Sequence, residues 1–158
     1  ASDAERLRLV RAEVKRVASR LGRPLKILVG KPGLDGHSNG AEQIAVKARD
    51  CGMEVVYEGI RLTPEQIANA ALEEGVHVIG LSILSGSHVP LAGEVMTRLA
   101  AMGLGDVPVV VGGIIPPEDA RRLLAAGLKA VFTPKDFDLT AIMGRIVGII
   151  DGAYPQAA

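Results

Sequence analysis

Leu25-Lys-Ile-Leu-Val-Gly30-Lys31-Pro-Gly-Leu-Asp35-Gly-His37-Ser-Asn-Gly40 is the stretch on which the fold turns. An apolar run from Leu25 to Val29 gives way to a loop holding Gly30, Gly33, Gly36 and Gly40, and a helical pattern begins near Ala41. Strand, glycine-rich loop and helix in that order put polar residues at the carboxyl end of a strand, where open α/β sheets bind ligands. The loop carries one histidine, His37, with Asp35 two residues before it and Lys31 four before that.

Working outward, the same unit repeats. Strands are predicted over 25–30, 53–57, 76–82, 107–111 and 129–133, with helices over 40–51, 64–74, 90–102, 117–126 and 139–150. Thr63-Pro64-Glu65-Gln66 is a capping box with proline in the first turn. Short connections with helices between strands force parallel pairing by right-handed crossovers. The expectation is an α/β, flavodoxin-like (Rossmann-like) doubly wound sheet of five strands in the order 2-1-3-4-5. An extra helix over 2–21 comes first, with Ser2 or Asp3 as cap and Leu7, Val10, Val14, Val17 and Leu21 spaced by three and four. Its other faces are basic, and the sheet does not require it. Packing against a partner or neighbouring domain and a solvated leader both stand open. The chain divides into an N-terminal helix or linker at 1–23, one domain at 24–151, and a flexible tail at 152–158.

Composition narrows the function. The chain has 158 residues, enough for a single domain with a proper core, and 48% of them are apolar. Aromatics are 3% and formal net charge is zero, so neither base stacking nor an electrostatic case for nucleic acid or an anionic membrane arises. The single Cys51 excludes an internal disulfide and fits a reducing compartment. No apolar run approaches the roughly 20 residues of a membrane span, and cytoplasm is the expected location.

Four strand ends converge on one edge of the sheet: 31–40, 82–88, Gly112-Gly113-Ile114-Ile-Pro-Pro117, and Thr133-Pro-Lys-Asp136. Small and polar residues replace aliphatic ones at each, so something bulky approaches the backbone closely. Neither G-x-G-x-x-G nor G-x-x-x-x-G-K-[ST] is present, which disfavours a nucleotide phosphate. A phosphorylated receiver domain shares the architecture, and Asp35 and Lys135 are roughly placed for it. It would want an acidic pair after the first strand and has no use for His37 or four glycines. A lone loop histidine is ordinarily a surface or hydrogen-bonding residue. Here Asp35 is near enough to accept its other ring N–H, as in metal-ligating imidazoles, and Lys31 can hold that carboxylate ionised. Zinc would need further ligands, and His77 and His88 offer no usable spacing. One histidine suffices when a macrocycle already holds the metal and needs an axial ligand.

Asp35-x-His37-x-x-Gly40, Ser82-x-Leu84 and Gly112-Gly113 resemble the three-part signature of cobalamin-binding domains. The likeness is to the carboxyl-terminal domain of the adenosylcobalamin-dependent acyl-CoA mutases, and runs from about Leu25 to Ile150. The segments 30–40, 81–88 and 133–137 look more like ethylmalonyl-CoA mutases than methylmalonyl-CoA mutases. This resemblance implies that His37 replaces the cofactor's dimethylbenzimidazole as lower cobalt ligand, with Asp35 and Lys31 as its relay. It implies cofactor contacts at Gly36, Ser38, Asn39 and Gly40, at Ser82, Leu84 and Ser85, at Gly112, Gly113 and Ile114, and at Thr133. Thr133-Pro-Lys-Asp136 departs from the Gly-Pro-Gly-Thr usual in methylmalonyl-type mutases, so contacts on that side are the least transferable.

The family's reaction is a radical 1,2 carbon-skeleton rearrangement, begun by homolysis of the cobalt–carbon bond. Its acyl-CoA substrate sits in a separate barrel that this sequence lacks. The expectation is therefore the cobalamin-carrying domain or small subunit of an acyl-CoA mutase (an isomerase), inactive alone, with cobalamin and a barrel domain or large subunit as partners. Ethylmalonyl-CoA/methylsuccinyl-CoA is the expected substrate pair. The alternative is a non-enzymatic corrinoid carrier for methyl transfer or a cobalamin sensor. Such proteins commonly bring a helical bundle to cap the corrin, and one helix is too little for that. His77 is expected to be structural and Cys51 inert. Ser85 and Ser87 can equally cap a helix, and His88 can start that helix or face the corrin.

Overall fold

Alternation along the strands decides which helices pack where. The computed structural model describes residues 2–31, 39–57, 62–83, 88–136 and 138–155. Five parallel strands, β1 (Lys26–Gly30), β2 (Glu54–Tyr57), β3 (Val78–Ser82), β4 (Val109–Gly112) and β5 (Ala130–Phe132), form one sheet in the order β2-β1-β3-β4-β5. The expected doubly wound topology is the observed one. Ile27, Val29, Val78, Val110 and Phe132 face a layer made by α1 (Asp3–Leu21), α2 (Asn39–Asp50) and α6 (Leu139–Ala153). Leu28, Ile79, Leu81, Val109 and Val111 face α3 (Pro64–Glu74), α4 (His88–Ala101) and α5 (Pro117–Ala125). Strands buried on both faces explain the near-continuous Val/Ile/Leu runs.

Local chemistry sets the element ends. Ser2 caps α1, and Thr63 and Gln66 form the capping box of α3. β3 starts at Val78 rather than 76, because the Val76 N–H is spent on the Ala71 carbonyl as α3 closes through Gly75. β4 starts at Val109 rather than 107, because Val107 turns back onto Leu104 and Pro108 has no N–H for the ladder. α4 begins at His88, with Pro90 accommodated in its first turn. α6 runs to Ala153, three residues past its expected end.

α1 belongs to the packed core and is no solvated leader. Val14 and Val17 are buried against the α2/α6 layer, and Val10 lies 3.8 Å from where a side chain at Gly144 of α6 would begin. Its basic residues hold α6 at both ends. Arg6 pairs with Asp138, the N-cap of α6, and Arg16 and Arg20 reach Asp151 at 2.9 and 2.7 Å.

Candidate functional site

Between the sheet and the α2/α6 layer, at the carboxyl edge, lies a cavity of about 470 Å³. Its floor exists because side chains are missing. On the face of β3 that carries Val78, the next two residues are Gly80 and Ser82; on β4, Val110 is followed by Gly112. Parallel register places Ser82 beside Gly112 and Gly80 between Val29 and Val110. The sheet thus thins toward its carboxyl end while Ile44 of α2 and Ile142 and Ile146 of α6 form an apolar roof. Gly40 and Ala41 open α2 at the near wall.

The turn after β4 is held by Gly113 N–H donating to the Phe132 carbonyl at 3.0 Å. Gly113 has φ +151°, a backbone state that strongly favours glycine. Ile114 beside it is 66% exposed, an apolar rim at the cavity mouth. After β5, the Asp136 carboxylate accepts from the Thr133 N–H at 2.8 Å, while the Asp136 N–H donates back to the Thr133 carbonyl at 2.8 Å. The stretch that departs from the methylmalonyl pattern is therefore a turn closed by its own aspartate.

Of the residues singled out from sequence, Gly40, Ser82, Gly112, Gly113, Ile114 and Thr133 meet around this one cavity. Asn39 is the first residue of α2. Asp35, Gly36, His37, Ser38, Leu84 and Ser85 lie outside the described residues. Gly80 and the α6 wall were not anticipated. A glycine inside a buried strand is a sign of close backbone approach and offered the clue for Gly80.

Lys31 directly follows β1 and is only 4% exposed. A buried ammonium persists only with polar or charged partners. Its Nζ lies 6.0 Å from the centre of the Tyr57 ring, and the Leu62 N–H donates to its carbonyl at 3.2 Å. Among the described residues, no group of three or more His, Cys, Asp or Glu is placed to hold a metal ion.

The remaining candidates sit elsewhere. His77 is at the opposite edge of the sheet, where its Nδ1 accepts from the Lys26 N–H at 3.0 Å and Tyr154 Oη donates to its carbonyl at 2.8 Å. Burial, with Arg23 and Lys26 nearby, pushes its pKa down to about 4, so it is a neutral structural histidine. Cys51 is buried beneath α1, away from the cavity, and burial pushes its thiol up. His88 opens α4.

Residues 25–136 match the family described as the B12 binding domain. The chain belongs to the B12-binding domain family. This B12-binding domain is 63% identical to ethylmalonyl-CoA mutase of Cereibacter sphaeroides over 142 residues, which is 90% of the chain and 22% of that protein. It is 40% identical to the 2-hydroxyisobutanoyl-CoA mutase small subunit of Aquincola tertiaricarbonis, covering 80% of this chain and 93% of that subunit. A cobalamin-binding protein of Desulfitobacterium hafniense shares the fold with a TM-score of 0.69 at 19% identity, over 90% of this chain and 67% of that one. The chain thus spans about a fifth of the full-length mutase and nearly all of a separate small subunit.

The cavity suits a cobalamin tail. Its volume falls in the usual range for small-molecule sites, its walls are mainly aliphatic, and its floor is a glycine cradle that side chains would fill.

Proposed function

We propose that this B12-binding domain holds adenosylcobalamin with the benzimidazole tail displaced into the sheet–α2/α6 cavity and His37 as lower ligand to cobalt. The observation that supports this most is the run of Gly80, Ser82 and Gly112 under the cavity, opening at the strand edge from which the His37 loop departs. Gly80 and Gly112 admit a flat ring against the backbone, Ser82 offers a hydroxyl to a ring nitrogen, and Ile142 and Ile146 exclude water from it. Gly113 and Ile114 line the mouth, and the closed Thr133–Asp136 turn fixes its far side. Lys31 holds Asp35 ionised, and Asp35 fixes the tautomer of His37 so that its other nitrogen meets the metal. Gly36, Ser38, Asn39, Leu84 and Ser85 complete the cofactor contacts.

When bound, the cofactor supplies radical chemistry for a 1,2 rearrangement of an acyl-CoA, with ethylmalonyl-CoA and methylsuccinyl-CoA as the substrate pair. The chain carries the cofactor side of that isomerase in the cytoplasm, with residues 24–151 as the binding unit and 1–23 leading to an acyl-CoA barrel or large subunit. No membrane or nucleic acid takes part. Among the described residues no helix is long and apolar enough to cross a membrane.

The test is electron paramagnetic resonance of the purified chain loaded with cob(II)alamin, with isotope-labelled histidine in the protein. The expected spectrum shows hyperfine coupling to a protein imidazole nitrogen, lost in His37→Ala. A spectrum indifferent to the label and to that substitution rules out the axial role.

A further inference from the structure

We propose that a groove along α1, at the amino edge of the sheet, is the docking site for an acidic amphipathic helix of a partner protein. The groove has a volume of about 510 Å³. Its walls are the second half of α1 and the turns that lead into β1 and β2, at Pro24 and Gly52. Three cations, Arg11, Lys15 and Arg23, line it, and none of the lining side chains is acidic. Arg11, Lys15 and Ser19 follow one another at every fourth position of α1 and so share one face. The helix stops at the left-handed Gly22, and Arg23 comes directly after it. From Arg11 to the end of α1 is about 15 Å at 1.5 Å per residue. That seat is too long for one small anion and matches a short helix.

Charge decides what fits there. The other basic residues of α1 are already paired: Arg6 with Asp138, Arg8 with Glu5 at 3.8 Å, Arg16 with Glu13 at 2.8 Å, and Arg20 with Asp151 at 2.7 Å. Arg11, Lys15 and Arg23 have no carboxylate partner among the described residues. Arg11 is fixed at the groove by its Nε, which donates to the Asp50 carbonyl at 2.6 Å. Cations gathered along one face repel one another until an anion lies among them. Beneath them the base is apolar. Val14 and Cys51 are buried, and burial pushes the Cys51 thiol up, which keeps it neutral. A charged rim over an apolar floor is the anatomy of a protein interface. A helix with acidic side chains at every fourth position and apolar ones beside them satisfies both parts. Nucleic acid fits less well, since no aromatic side chain lines the groove to stack a base and formal net charge is zero. The groove lies at the amino edge and the Ser82–Gly112 cavity at the carboxyl edge, so a helix seated here leaves that cavity unobstructed.

The probe is a fluorescent synthetic helix of about 20 residues, with glutamate at every fourth position on one face and leucine beside it. A second peptide of the same composition has its glutamates scattered around the helix. Binding to the full chain is read by fluorescence anisotropy at low salt. The patterned peptide is expected to bind more tightly than the scattered one. Lys15→Gln combined with Arg23→Gln is expected to weaken it about tenfold. Arg98→Gln combined with Lys129→Gln removes the same charge outside the groove and is expected to leave binding unchanged. Ser19→Trp fills the groove without altering charge and is expected to weaken binding by a similar factor. All five positions are exposed, so each variant is expected to melt near the wild-type temperature. The proposal fails if the patterned peptide does not bind, if the scattered one binds as well, or if the control pair weakens binding equally. It fails too if Ser19→Trp leaves binding intact, because the shape of the groove then plays no part. A DNA duplex that binds as tightly, and is released by the same Lys15 and Arg23 substitutions, would give the groove to nucleic acid instead.

Discussion

Gly80 sits mid-strand in β3, between Val29 and Val110, where a larger residue would ordinarily strengthen a buried sheet. A Cβ there would meet Ile27 Cδ1 and Val110 Cγ2 at 3.8 Å, ordinary contact distances, so the sheet itself does not demand glycine. Gly112 is similar, with the Phe132 carbonyl oxygen 3.7 Å from where a Cβ would stand. The space these glycines leave is space for a ligand. Gly80→Val is therefore expected to fold with a melting point equal to or above wild type, while its β-branched side chain fills the cavity floor. Cobalamin affinity should fall by about tenfold or more, read by spectral titration. Unchanged affinity in a folded Gly80→Val would mean the tail does not lie on β3. The polar half of this site was legible in the sequence because small residues interrupt aliphatic runs at the strand ends, as at Gly40, Ser82 and Gly112-Gly113. The apolar half was not. Ile44, Ile142 and Ile146 carry the same helical periodicity whether they face packed core or a cavity, and Gly80 hides inside a hydrophobic run.

At the scale of elements, α1 shows why a pattern of charge is ambiguous without its partners. Its apolar stripe and its cap were readable, but its arginines looked equally suited to solvent or another molecule. The acceptors that decide the matter, Asp138 and Asp151, lie more than 130 residues further along the chain. These pairs depress both carboxyls: at Asp138 the Ala141 N–H dominates with Arg6 second, and at Asp151 Arg16 and Arg20 dominate. The core contact is the stronger claim, since exposed ion pairs contribute little. Val17 is fully buried, and Val17→Ala removes two methyl groups from the layer that also walls the cavity. The expected loss is about 2 kcal/mol, in a single cooperative transition by chemical denaturation. A change near zero, or a separate early transition for α1, would mean that the helix is an appendage. The strand boundaries at β3 and β4 were misplaced by two residues for a related reason. Val76 and Val107 look like strand residues, but their backbone groups close the preceding helix and turn.

For the whole molecule, the division of labour follows from what one layer of sheet and helices can enclose. The described cavity of about 470 Å³ lies on one side of the strand edge and is the space proposed above for a cofactor tail. If His37 holds the cobalt as proposed, the corrin ring would stand outside this cavity and need covering by another surface. Ile114, 66% exposed at the cavity mouth, is an apolar residue suited to such a contact. Relatives occur both as a full-length mutase, of which this chain spans 22%, and as a small subunit, of which it spans 93%. In the full-length relative, most of the protein lies outside the part that this chain matches. Acyl-CoA mutase activity is therefore expected to be absent from the chain loaded with adenosylcobalamin, and to appear when a cognate acyl-CoA barrel is added in trans. The assay follows conversion of ethylmalonyl-CoA to methylsuccinyl-CoA by chromatography, with His37→Ala as the paired control. Turnover by the loaded chain alone would show that the domain builds an acyl-CoA site of its own. Activity retained in His37→Ala with the barrel would show that the axial bond is dispensable for turnover. Activity in neither, with the wild-type histidine coupling intact, would place the chain among carriers rather than mutases.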